Sequence, residues 1–365
     1  MLLPMLIRGM GKFGWGAATA RDGAATSVST EVDAHINSTA RMRRDLLNVM
    51  RGMMTSDPEA ALICHAGWVA DRVRALATLR GLALGDAFGE TWFGRPARLV
   101  EQALAERKLP AGPWFWTDDT AMALSLVAVL HRHRRVDQDA LARRFAAAYA
   151  VDPHRKYGAS MHEVLSRVRA GEPWAQVVAG QFGGAGSWGN GAAMRVAPLG
   201  AWFADDLDVV VREAELSAAV THAHPQAAAG AVAVALGAAL SARGTPGQEL
   251  LDAVARRTPQ GEVKQGLLRA AELGLRASPL AAAAILGCGE NVSAMDTVPF
   301  ALWCAARHLD DFVEALWTAV LPGGDVDTIC AIVGGVVAAA TFPDALPARW
   351  LAECEPLPAW VEDVT

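Results

Sequence analysis

Residues 117–135 read TDDTAMALSLVAVLHRHRR, and two features of this stretch set the reading of the whole chain. From Ala121 to Leu130 the apolar residues are too continuous for a half-buried strand. They also recur at intervals of three and four, and the run closes on a basic cluster, so it reads as a buried helix. Ahead of it stand Asp118 and Asp119, side by side between two threonines. Their like charges repel, and a single helix N-terminus needs only one side-chain acceptor.

The same helical punctuation repeats from about residue 70 onward. WVADRVRALATLRGLALGDAFG (68–89), QDALARRFAAAYA (138–150), SMHEVLSRVRAG (160–171), DLDVVVREAELSAAV (206–220), PQAAAGAVAVALGAAL (225–240) and TICAIVGGVVAAA (328–340) all carry the three- and four-residue spacing. Strand-like alternation is scarce, and no linker divides the chain beyond residue 69. The expectation is an all-α protein: a weakly ordered or helical extension over 1–68, in which Met42–Met54 reads as a basic amphipathic segment, and one compact helical domain over 69–365. A hydrophobic content of 52% supports a large core.

Composition excludes several classes. With 33 basic and 39 acidic residues intermingled, there is no basic stripe to neutralise phosphates, so stable nucleic-acid binding is not expected. The opening MLLPMLI is short and holds a proline, unlike a signal peptide, and the apolar run from Ala227 is shorter than a bilayer span, so no membrane association is expected. Five cysteines without CxxC spacing fit free thiols in a cytoplasmic setting. No HExxH, no GxSxG elbow and no P-loop ending is present, which disfavours zinc hydrolysis, α/β-hydrolase chemistry and nucleoside-triphosphatase chemistry.

Three polar segments interrupt the helices: TDDT (117–120), GSWGNGAAMR (186–195) and GGDVDT (323–328). Either acidic segment alone reads as a helix cap. Together they supply four carboxylates and three hydroxyls, more than two caps require, and hard divalent cations take oxygen ligands of this kind. The Gly-rich segment offers backbone amides that suit phosphates, and Trp188 within it either stacks on a base or covers the core. In THAHPQ (221–226), His224 reads as a cap for the helix at Pro225.

These motifs, in this order and covering about residues 76–342, resemble the ADP-ribosylglycohydrolase family, which includes dinitrogenase reductase-activating glycohydrolase and the ADP-ribosyl-acceptor hydrolases. DPHRKYGASMHEVL and QFGGAGSWGNGAAMRV are similar to the ADP-ribosyl-serine hydrolase branch. The resemblance implies a compact orthogonal helical bundle around a dinuclear Mg²⁺ or Mn²⁺ centre held by Thr117, Asp118, Asp119, Asp325, Asp327 and Thr328. It further implies that Gly186, Ser187, Trp188, Gly189, Asn190, Gly191 and His222 bind substrate. The family glutamate, seven residues after the Asp of the GD motif, falls on Phe93; Glu90 lies one helical turn earlier and is expected to substitute, joining Asp118 and Asp119 as catalytic, or else to be a salt-bridged surface residue.

The expected activity is cation-dependent release of ADP-ribose from an acceptor, an ADP-ribosylated protein side chain or O-acetyl-ADP-ribose, by a monomer. The alternatives are a non-catalytic ADP-ribose-binding module and a two-metal nucleotide phosphohydrolase. Arg195 is read either as a phosphate partner or as a structural ion pair.

Overall fold

Gly81, Gly85 and Gly89 recur every four residues, so on a helix they form a ridge without side chains, and such a ridge lets a second helix come to backbone contact. The partner is the segment with Val326, Cys330, Gly334 and Ala338 at the same spacing. A Cβ on Gly85 would overlap the Cys330 carbonyl, one on Gly89 would lie 2.7 Å from Asp327 Cα, and one on Gly81 would overlap Ala338. This crossing sets the distance between the residues that flank it, Asp86 and Asp327.

The computed structural model describes residues 58–340 and 346–362. Two units divide the chain, Met1–His65 and Ala66–Thr365, and the second holds the bundle. Residues 1–57 of the expected extension, including Met42–Met54, lie outside the described residues. The first helix begins at Pro58, ten residues before the sequence pattern becomes regular, with proline in the first turn, where its missing N–H costs nothing.

Among the described residues there are eighteen α-helices and no strand. In order they are α1 (Pro58–Glu90), α2 (Ala97–Glu106), α3 (Asp118–His133), α4 (Gln138–Val151), α5 (Ala159–Arg169), α6 (Trp174–Ala179), α7 (Gly191–Met194), α8 (Ala197–Trp202), α9 (Leu207–Ala219), α10 (Pro225–Ala242), α11 (Gly247–Arg257), α12 (Glu262–Leu273), α13 (Pro279–Leu286), α14 (Ala294–Arg307), α15 (Phe312–Val320), α16 (Val326–Ala340), α17 (Ala348–Glu353) and α18 (Ala359–Glu362). The all-α expectation holds.

Helix α10 forms the centre. Ala, Val, Leu and Gly surround it on every side, and α7, α8, α9, α11, α14 and α16 pack against it. By length and composition alone it could cross a membrane, but 78% of it is buried within the bundle, which makes it the core helix that its sequence suggests.

A second cluster fixes the end of α1. The ring of Phe88 stacks on Trp350 at 4.4 Å and meets Trp92, Trp114 and Trp317 at 5.2–5.7 Å. All five rings are buried, each contributing roughly 1.5–3 kcal/mol, so Asp86, two residues from Phe88, stands on a rigid element.

Candidate active site

Helix α3 starts where its sequence demands a cap. Thr117 takes an extended backbone, and its Oγ1 accepts from Asp119 N at 3.4 Å. Asp118 N donates to the Arg155 carbonyl at 2.7 Å, and the other amides of the first turn are satisfied from α1. Asp86 Oδ2 accepts from Thr117 N (2.9 Å), Thr120 N (3.1 Å) and Thr120 Oγ1 (2.5 Å), while its Oδ1 accepts from Thr117 Oγ1 at 2.9 Å. Thr117, Asp86 and the Arg155 carbonyl thus complete the cap, and the carboxylates of Asp118 and Asp119 are surplus to it.

Asp327 enters from the first turn of α16. Asp86, Asp119 and Asp327 each present an oxygen within 4.8 Å of the others, and all three are buried. Burial raises the pKa of Asp86 to about 6 and holds Asp118, Asp119 and Asp327 well above the ordinary carboxylate range, with mutual repulsion adding to the effect. Asp325 is raised by burial too, although Asn190 Nδ2 donates to its Oδ2 at 2.6 Å.

The donor set fits a divalent cation. Thr117 Oγ1 lies 2.9 Å from Asp86 Oδ1 and 3.1 Å from Asp119 Oδ2, and its one hydrogen can serve only one of them; Asp119 Oδ1 is buried with no partner. Such a group of oxygens needs protons or a cation to be neutral, and oxygen-only ligands select the hard divalent ions.

A cavity of about 430 Å³ opens over this cluster, a size usual for ligand sites. Asp118, Asp119, Asp325, Asp327 and Thr328 line it together with Ser187, Trp188, Gly189, Asn190, Gly191 and His222. Thus the two acidic segments and the Gly-rich segment, far apart in sequence, share one space. Asn190 couples them, donating from Nδ2 both to Asp325 and to Thr297 Oγ1 at 3.0 Å.

Several expectations are refined. The Gly-rich segment runs into a single turn, α7, and two of its amides are turned inward: Gly189 N donates to Ser187 Oγ at 3.3 Å and Asn190 N to the Val292 carbonyl at 3.2 Å. Gly186 is outside the lining; its positive φ of 75° and its approach to Ala223 and His224 make it a shaping residue of the loop. Gly323 and Gly324 turn left-handed as well, and Gly324 is pressed against the Cys288 carbonyl. Trp188 is 43% exposed, so it does not cover the core; its ring lies 5.6 Å from that of Phe182, which also lines the cavity.

Arg195 is no phosphate partner. It is fully buried, donating to the carbonyls of Gly191 (3.1 Å) and Ser217 (2.8 Å) and to Thr221 Oγ1 (2.9 Å), and burial lowers its pKa to about 9. His224 caps α10, its Nδ1 accepting from Gln226 N at 3.1 Å. Glu90 pairs with Lys156, and its other oxygen is buried without a partner. It lines a neighbouring cavity of about 330 Å³ with Thr117, while Lys156 lines both. Phe93 stands 42% exposed beside Lys156, 5.3 Å from the ammonium to the ring centre.

Asp86 was not among the expected ligands. The signal for it was the GD pair inside the glycine ridge, which gains meaning only when α1 and α16 cross.

An all-helical frame sets buried carboxylates at the floor of a ligand-sized cavity, a donor set that suits a divalent cation. The comparison with known proteins carries this further: the profile of the ADP-ribosylglycohydrolase family matches residues 69–365, and the chain belongs to that family of glycosidic-bond hydrolases. It is 34% identical over 282 residues to an uncharacterized protein of Archaeoglobus fulgidus, covering 74% of this chain and 88% of that one. ADP-ribosylhydrolase ARH3 of Homo sapiens is 31% identical, with 66% of this chain and 75% of that one covered. A solved structure titled an ADP-ribosylglycohydrolase-related protein complex superposes with a TM-score of 0.57 at 27% identity, over 81% of this chain and 95% of the other.

Proposed function

We propose that the protein hydrolyses the bond between C1″ of ADP-ribose and an acceptor oxygen or nitrogen, with a serine side chain of a modified protein as the favoured acceptor. The observation that carries the reading is the single cavity in which the acidic cluster faces the Gly-rich loop and His222. The similarity to ARH3 and the DPHRKYGASMHEVL segment favour the serine linkage.

The ligand's base stacks against the exposed rings of Phe182 and Trp188 at the mouth, where π-faces accept any planar heterocycle. Its diphosphate lies along Ser187–Gly191, and its distal ribose reaches the carboxylates. Two Mg²⁺ or Mn²⁺ ions, held by Asp118, Asp119, Asp325 and Asp327 with Thr117, Thr328 and Asp86 around them, would supply Lewis acidity at that ribose. Asp118 and Asp119 orient the entering water at the anomeric carbon, being fixed by the first turn of α3. Glu90, paired with Lys156 and with its other oxygen unpartnered, serves as the proton acceptor beside the site, and the departing acceptor takes its proton from solvent. Four free thiols among the described residues support a reducing, cytoplasmic setting.

The test is ADP-ribose release from serine-, arginine- and DNA-linked substrates and from O-acetyl-ADP-ribose, with Mg²⁺, Mn²⁺ or chelator. Cation-dependent release of free ADP-ribose, greatest for the serine linkage, is expected. Release of AMP or phosphate instead would identify a phosphohydrolase and overturn the reading.

A further inference from the structure

His222 is buried at 5% exposure, yet its ring borders the cavity, so which nitrogen carries the hydrogen decides what it offers a ligand. Its Nδ1 lies 2.7 Å from Thr221 Oγ1. The same oxygen receives Arg195 Nη2 at 2.9 Å, and these two are its partners among the described residues. A guanidinium only donates. Thr221 Oγ1 must therefore accept from Arg195, and its own hydrogen is left for His222 Nδ1. Were Nδ1 to carry a hydrogen instead, the Thr221 hydroxyl hydrogen would be buried without an acceptor, at a substantial cost.

We infer that Arg195, acting through Thr221, is a positioning residue that locks His222 as the neutral Nε2–H tautomer, a fixed hydrogen-bond donor for an acceptor oxygen of the ligand. Chain chemistry on the cavity side agrees. A Cβ on Gly189 would lie 3.3 Å from Nε2 and one on Gly191 3.0 Å, so the glycines at these two positions leave the nitrogen uncovered. Burial, followed by the repulsion of Arg195, lowers the imidazole pKa to about 3, which keeps the ring neutral and fits one N–H donor rather than two. Arg195 is itself anchored by the Gly191 and Ser217 carbonyls, so the relay has no freedom to reverse. With the opposite tautomer a lone pair would face the ligand's oxygens and repel them.

The identity of the ligand rests on the function proposed above, whereas the tautomer does not. The first measurement is long-range ¹H–¹⁵N correlation of ¹⁵N-histidine-labelled protein without ligand, with His222→Gln assigning the signal. A protonated-type Nε2 and an unprotonated-type Nδ1 at neutral pH are expected; the reverse pattern, or an imidazolium, overturns the inference. Thr221→Val should shift His222 towards the other tautomer and weaken ADP-ribose binding by about tenfold or more, and Thr221→Ser should restore both. A Thr221→Val protein with the wild-type ¹⁵N pattern would equally overturn it. Should Thr221→Val fail to fold, the wild-type spectrum and the Thr221→Ser protein still decide the assignment. An unliganded spectrum as expected, with no ADP-ribose binding by the wild type, would leave the lock standing and refute the proposed function instead.

Discussion

Replacing Gly85 by alanine isolates the helix crossing on which the acidic cluster depends. Alanine gains up to about 1 kcal/mol over glycine in helix propensity, so without the crossing the variant would be more stable. The new Cβ, however, overlaps the Cys330 carbonyl oxygen and lies 2.8 Å from its carbon and 3.4 Å from Ala331 N. All of these are backbone atoms, so no side-chain rotation relieves the clash, and α1 must move away from α16. Overpacking of this kind costs about 3 kcal/mol, leaving a net loss of about 2 kcal/mol, up to thirtyfold in the folding equilibrium. Because Asp86 and Asp327 ride on the two helices, their separation grows too, and Mn²⁺ affinity should fall by at least about tenfold. Urea unfolding and calorimetric Mn²⁺ titration measure the two effects. Gly180→Ala, whose Cβ would meet only ordinary contacts at 3.5 and 3.6 Å, is the control and should stay within about 0.5 kcal/mol of wild type. Unchanged urea midpoint and unchanged Mn²⁺ affinity in Gly85→Ala would refute the argument that backbone contact spaces the carboxylates.

Burial raises Asp86 from 3.8 to about 6, so the native state binds its proton more tightly than the unfolded chain does. The stability tied to that proton is full below pH 3.8 and is lost as the pH rises through about 6, about 3 kcal/mol from this group alone. In chelator, Tm should therefore fall between pH 5 and 7.5, and with Mn²⁺ the trend should reverse, because the cation binds the deprotonated carboxylates; parallel profiles with and without Mn²⁺ would contradict this. Asp119→Asn should raise Tm in chelator by removing one repelling charge, while cutting the Mn²⁺-induced rise in Tm and lowering turnover by at least about a hundredfold. Trp188→Ala should raise KM for an ADP-ribosylated peptide by about tenfold or more with kcat nearly unchanged, as expected when stacking is lost away from the reacting bond; an equal fall in kcat would place Trp188 in the chemistry instead.

The helices were legible because their signals are local. Apolar spacing from Ala121 to Leu130, caps at Thr117 and His224, and the glycines before Asp325 all act within a few residues, and each element lies where its pattern ends. The surplus of carboxylates at Asp118, Asp119, Asp325 and Asp327 was legible as well, because one cap has a fixed demand. What escaped depends on contacts across the chain. Asp86 lies in an apolar run and joins the cluster only through the α1–α16 crossing, and Arg195 loses its reading as a phosphate partner only once α9 and Thr221 close over it. Asn190 spends its amide on the Val292 carbonyl, a choice that depends on the segment before α14. Glu90's pairing with Lys156 depends likewise on the loop that follows α4.

Anomalous diffraction at the manganese edge, from crystals of the protein grown with Mn²⁺, tests the central claim most directly. The account predicts anomalous peaks among the carboxylates of Asp118, Asp119, Asp325 and Asp327, with Asp86 at the margin of one of them. Carboxylates of the cluster with no anomalous density between them at saturating Mn²⁺ would contradict it and leave the acidic segments as helix caps.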